Sequence, residues 1–148
     1  MAAVAGAIAE ALGEEMSQYC KEIIIENGGD LYIKSRQKRI IAIFASKTRF
    51  SYQIGIEIAG DETPLGLCTS SGTIGSSMSL GKADAVVIKA NTASLADAVA
   101  TATANIIKTS QDVKPAVEFA NKITGITGVL AIKDNLLAAW GDLKIVKI

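Results

Sequence analysis

The sequence contains no histidine. Without an imidazole there is no Ser-His-Asp or Cys-His catalysis, no histidine metal ligand and no side chain that ordinarily titrates near pH 7. Aromatic residues make up only 5%, too few for a run of base-stacking platforms. Neither sign of charge is in excess, since 15 Lys and Arg face 15 Asp and Glu. A neutral chain with pI near 6.3 carries no broad footprint for nucleic acid or an anionic membrane. The two cysteines, Cys20 and Cys68, cannot build a zinc site without histidine. They could form one disulfide but not a disulfide framework, and they read as reduced, mostly buried thiols. No apolar run approaches the roughly 18–20 residues of a spanning helix. The apolar start MAAVAGAIAEALGEEM has no basic segment, and Glu10, Glu14 and Glu15 interrupt it. It is therefore not a signal peptide, and the expected location is cytoplasmic.

What is present suits one folded domain over residues 1–148. A chain that is 49% hydrophobic and 20% charged is not intrinsically disordered, and at this length it buries roughly 70% of its unfolded surface. Met1, Val4, Ile8, Leu12 and Met16 recur at helical spacing and predict a helix near residues 2–18 with its apolar stripe facing a core. No Ser, Thr, Asp or Asn precedes it as a cap. KEIIIE (21–26) reads as a buried strand, followed by the Asn27-Gly28-Gly29-Asp30 turn. LYIKS, RIIAIFA, QIGIEI, LGLCTS and KADAVVIKA read as further strands.

The alanine-rich stretch near 92–108 predicts a helix. Leu95, Val99, Ala102 and Ile106 form one stripe, and Ser94, Asp97, Thr101, Asn105 and Lys108 form the opposite, polar one. A third helix is expected near 112–124, capped by Asp112, with Pro115 tolerated in the first turn. The C-terminal segments TGVLAIK, LLAAW and LKIVKI, separated by Asp134-Asn135 and Gly141-Asp142, predict a three-stranded meander. Strands cluster apart from helices, so the expected class is α+β with antiparallel or mixed sheets. Alanine-rich helix faces can pack against a second copy as well as within one chain, which leaves a homo-oligomer open.

Two phosphate motifs are excluded. From Gly75 to Lys82 the spacing is one residue too long for a P-loop, with Ala83 in place of its hydroxyl, and no G-x-G-x-x-G is present. Three features can carry chemistry. Asn27, Gly28, Gly29 and Asp30 follow a strand, where paired glycines let backbone N–H groups approach a ligand; a plain inter-strand turn has the same sequence. Thr69, Ser70, Ser71, Gly72 and Thr73 begin a donor-rich loop that runs on to Ser77 and suits a phosphate or ribose, or forms a solvated linker. Asp97 and Thr101, four apart on one helix face, offer hard oxygens to Mg²⁺. Alternatively, Ser94 and Asp97 make a variant capping box.

In that order the three motifs, Asn27-Gly28-Gly29-Asp30, Thr69-Ser70-Ser71-Gly72 and Ser94-Leu95-Ala96-Asp97-Ala98-Val99-Ala100-Thr101-Ala102, resemble those of the ApbE-type flavin transferases. The wording of GLCTSSGTIGSS and GKADAVVIKANTASLADAVATA is similar to that of an uncharacterised ApbE-like family of bacteria and archaea. The resemblance implies an α+β fold that binds FAD or FMN, or another nucleotide phosphate, with Mg²⁺, and transfers FMN to a Ser or Thr of a target protein. It implies Mg²⁺ on Asp97 and Thr101, with a main-chain carbonyl near Ala7. The enzymes' His-x-x-Asp-Pro-x-Thr-Gly segment has no counterpart here, since Ser76 to Lys82 leads directly into the next strand. A non-catalytic binding or interaction domain that keeps the fold is the alternative. Met1 opens the first helix, so the chain is expected to correspond to the family fold without its N-terminal part, and that helix is expected to expose apolar surface unless another chain covers it.

Overall fold

The computed structural model describes residues 2–73 and 80–148. Among these, helix α1 (Val4–Met16) precedes strands β1 (Ile23–Asn27), β2 (Asp30–Lys34), β3 (Arg39–Ala42), β4 (Ile54–Ile58), β5 (Leu65–Ser70) and β6 (Ala85–Ala90). Helices α2 (Ala93–Ile106) and α3 (Val113–Ala120) follow, then β7 (Ile126–Lys133), β8 (Leu136–Gly141) and β9 (Lys144–Lys147). One sheet has the order β1-β2-β5-β6-β7-β8 and a second the order β3-β4-β9. Every pairing is antiparallel, which makes the class α+β.

The six-stranded sheet is the middle of three layers. Its successive residues point to opposite faces, and on the central strands β5, β6 and β7 both faces are largely buried. Val86, Ile88, Ala90, Val129 and Ala131 pack under the helices with Ala96, Ala100 and Val117. Ala85, Val87, Leu130 and Ile132 face the small sheet with Ile56 and Ile58. This explains the continuous apolar run of β6, all six of whose residues are buried.

Several expectations are corrected. The apolar stripe of α1 faces outward: Val4, Ile8, Leu12 and Met16 are each about half exposed, while Gly6, Ala9 and Gly13 are buried. The inner face sits so close to its neighbours that only small residues fit. A Cβ on Gly6 would lie 2.7 Å from the Asp97 Cβ, and one on Gly13 would overlap the Tyr32 ring. The accompanying expectation, that the first helix exposes apolar surface, is met. β1 is an edge strand rather than a buried one. Ile23 and Ile25 pack on the core and Ile24 is exposed.

The C-terminal meander stops at two strands. β7 and β8 form the hairpin, but β9 leaves it and pairs with β4, with Ile56 opposite Ile145. The Asp142 N–H donates to the Thr127 carbonyl (2.8 Å) and the Leu143 N–H to that of Gly141 (3.0 Å), turning the chain off the sheet. Asp112 caps a 3₁₀ turn (Ser110–Asp112) in a box with Thr109, not α3 itself.

Candidate functional site

The Asn27-to-Asp30 segment is a two-residue hairpin with Asn27 paired to Asp30. Gly28 (φ 67°) and Gly29 (φ 100°) both take the left-handed backbone that such a turn demands. The turn is pinned on two sides. The Thr69 N–H donates to the Gly29 carbonyl (3.1 Å), and Asn27 Nδ2 donates to the Ala5 carbonyl at the start of α1 (3.3 Å).

Asp30 is buried on β2 directly opposite Cys68 on β5. The Cys68 thiol donates to the Ala93 carbonyl at the start of α2 (3.3 Å). Cys20 and Cys68 are both free, the first half-buried and the second buried. Burial, and then the negative charge of Asp97, push the Asp30 pKa up to about 7, against the pull of the Cys68 thiol and the Thr69 amide. Burial likewise drives the Cys68 thiol far above its ordinary range, helped by the charge of Asp30.

Asp97 is 7% exposed, because α1 lies across α2 there. Its Oδ2 accepts the Gly6 N–H at 2.9 Å. Gly6 is the third residue of α1, a helix with no side-chain cap of its own, so Asp97 supplies the acceptor that its first turn lacks. The arrangement is reciprocal, with Glu10 Oε2 on α1 accepting the Ser94 N–H of α2 (3.0 Å). The cap within α2 is Thr92, which takes the Leu95 N–H (3.3 Å). The capping box expected between Ser94 and Asp97 is thus replaced, because the helix begins two residues earlier and both donors have other partners. The polar stripe of α2 is not simply solvated either, since Asp97 lies within it.

Thr101, one turn on, is half-buried. Ala7 lies on the exposed side of α1; the backbone groups that reach the site are the Ala5 carbonyl and the Gly6 N–H. Ser70 ends β5 opposite Val86. Ser71, Gly72 and Thr73 turn toward the start of β6. Ser71 Oγ and the Gly72 N–H both donate to the Ala83 carbonyl (3.2 and 2.9 Å), and Thr73 Oγ1 donates to Asp84 Oδ1 (3.4 Å). The rest of the predicted loop, to Ser77, lies outside the described residues.

The structure therefore gathers Asn27, Gly28, Gly29, Asp30 and Thr69 with Asp97, and directs Ser71 to Thr73 to a third buried acid. That acid, Asp84, also takes the Asp134 N–H (2.7 Å) and Lys133 Nζ (3.4 Å). Gly6, Glu10, Cys68 and Asp84 were not candidates from the sequence. The seven-residue spacing of Gly6 and Gly13, with Ala9 between, is the one signal of a close-packed face.

Among the described residues no three His, Cys, Asp or Glu side chains cluster to hold a metal. A cation here would rest on one or two carboxylates and neutral oxygens, a set that suits Mg²⁺, which keeps several of its waters. The bond to Oδ2 leaves Asp97 Oδ1 with no hydrogen-bond partner among the described residues, and the repulsion between Asp97 and Asp30 is what a cation would relieve. Carboxylate and hydroxyl oxygens, the kind that Asp97, Asp30 and Thr101 carry, are the ligands that a hard cation takes.

The fold and site define an α+β protein of three layers, with two buried acids where two helices and a glycine turn meet. Residues 1–129 match the protein family described as AbpE bacteria, and the chain belongs to that family. It is similar to a UPF0280 protein of Methanococcus aeolicus, 39% identical over 97% of this chain and 60% of the relative. A UPF0280 protein of Methanopyrus kandleri is 47% identical over 95% of this chain and 58% of its own length. One of Archaeoglobus fulgidus is 40% identical over 97% and 60%. The chain spans about three fifths of the length of these curated relatives. Among the described residues no helix is long and apolar enough to cross a membrane.

Proposed function

We propose that this chain is an ApbE-like cytoplasmic protein that binds a flavin or nucleotide phosphate together with Mg²⁺ at the junction of α1, α2 and the Gly28-Gly29 turn. The observation that carries the reading is the pair Asp30 and Asp97, buried and close enough that the charge of one opposes ionisation of the other. Two such acids are costly to bury without a partner, and a divalent cation is the partner their charge calls for. When bound, Mg²⁺ would offset the negative charge of the phosphate oxygens and make the phosphorus they surround a better electrophile. The chain's own contribution would be to hold the ion on Asp97 and Thr101 and to bring the glycine turn, whose Gly29 N–H is already held by Glu26 Oε1 (3.2 Å), against the phosphate. FMN transfer belongs to the same proposal, resting on the sequence resemblance.

The test is calorimetry with FAD, FMN and ADP, with and without Mg²⁺. Mg²⁺-dependent binding is expected in the wild type and its loss in Asp97→Asn, with Asp30→Asn weakened. Equal nucleotide binding in wild type and Asp97→Asn would falsify the assignment, as would the absence of any Mg²⁺-dependent binding.

A second reading, a non-catalytic domain that keeps the fold, is favoured by the Gly6–Asp97 bond. If capping is the whole role of Asp97, Asp97→Ala costs about 1 kcal/mol of stability and alters no ligand binding.

A further inference from the structure

A cavity of about 440 Å³ opens between the α1–β1 connection (residues 17–21), the β2–β3 connection and the turn before β5. It lies toward the far end of β2 from the acids. Lys34, on its wall, is four residues along the strand from Asp30, roughly 13 Å at 3.3 Å per residue. Its floor is rigidly built. Ser35 is 3% exposed; its N–H donates to Thr63 Oγ1 (3.0 Å), which donates back to the Ser35 carbonyl (2.7 Å).

Three cationic side chains line this cavity: Lys21, Lys34 and Arg36. None has an ion-pair partner among the described residues. Glu22, next to Lys21, is already spent: its Oε2 takes Arg39 Nη2 at 2.6 Å and the Ser35 hydroxyl at 3.1 Å. Three cations without an ion-pair partner around one preformed concavity are a field for an anion of high charge. An arginine fork with two ammonium groups matches the three outer oxygens of a phosphate better than the two of a carboxylate. The volume exceeds a single phosphate and falls in the range of small-molecule sites. Tyr19, exposed on the rim, offers a ring against which the rest of a ligand can lie.

We propose that this cavity binds a phosphorylated small molecule, its phosphate held by Lys21, Lys34 and Arg36. The site is independent of the two acids and needs no metal. The probe is pyrophosphate, titrated by calorimetry in EDTA so that no divalent cation occupies the acidic site. Saturable 1:1 binding is expected, weakened at least tenfold in the double variant Lys34→Gln/Arg36→Gln and unchanged in Lys114→Gln. Amide shifts on titration should concentrate at residues 18–21 and 34–36, a readout that needs no variant to fold. The proposal is overturned by an absence of saturable binding, by equal weakening in Lys114→Gln, by tighter binding of citrate than of pyrophosphate, or by shifts confined to residues 28–30.

Discussion

Asp30 and Asp97 are where the chemistry of single residues is most exposed. Asp30 holds its proton to about pH 7 in the folded chain, against an ordinary value of 3.8, because burial and then Asp97 disfavour its charge. Between those values the folded state binds a proton that the unfolded state has released. The stability that this group contributes is therefore full below about pH 4, falls as pH rises, and is lost above about pH 7. Asp30→Asn removes the dependence. Its unfolding free energy should exceed the wild type's at pH 8 by on the order of 2–3 kcal/mol, which is the roughly 4 kcal/mol of three pKa units reduced by solvent screening of a group that is not fully enclosed, with the gap closing by pH 4. Chemical denaturation at the two pH values, in EDTA, measures it; a gap that stays constant with pH would refute the assignment.

At the scale of elements, α1 is the informative case. Its sequence carries a clear amphipathic signal, yet the face that packs is the glycine and alanine face. Large apolar side chains cannot approach α2 and Tyr32 as closely as Gly6 and Gly13 do, so the stripe Val4, Ile8, Leu12 and Met16 is left outside. The consequence reverses the usual ranking of substitutions. Gly6→Ala, a small change at a contact with no room, should cost about 1–3 kcal/mol. Leu12→Ser, a large change on the exposed stripe, should alter stability by less than about 1 kcal/mol and reduce concentration-dependent light scattering, since a contiguous apolar patch promotes association. Urea melts and scattering on the two variants decide it; a Leu12→Ser cost above that of Gly6→Ala would mean that the stripe is the packed face.

For the molecule as a whole, the six-stranded sheet carries a core on each face. Ile88 is fully buried on the helix side and Ile132 on the side of the small sheet. They lie on adjacent paired strands, β6 and β7, so neither core can open without disturbing the ladder they share. Ile88→Ala and Ile132→Ala should each cost about 2–5 kcal/mol, and each should lower one common transition seen by both far-ultraviolet circular dichroism and tryptophan fluorescence. Separate transitions in Ile132→Ala would show the small sheet to be an independent unit.

Local physical chemistry was legible in the sequence: the α+β class, three helices near their observed places, the Gly28-Gly29 hairpin and the β7–β8 hairpin. These follow from periodicity, from paired glycines at left-handed positions and from turn residues, all set by neighbours within a few positions. Choices among distant partners were not legible. LKIVKI alternates as an edge strand does, and an alternating strand fits either sheet equally well; only the turn at Gly141 and the edge offered by β4 sent it to the second sheet. The helical period shows that α1 has two faces but not which one is buried, because that depends on how closely α2 can approach. Asp97 was visible as a polar residue on a helix. That it caps the other helix, 91 residues away in the chain, and raises the pKa of Asp30 was decided by the crossing of α1 over α2, since a carboxylate's role is set by what the fold places beside it.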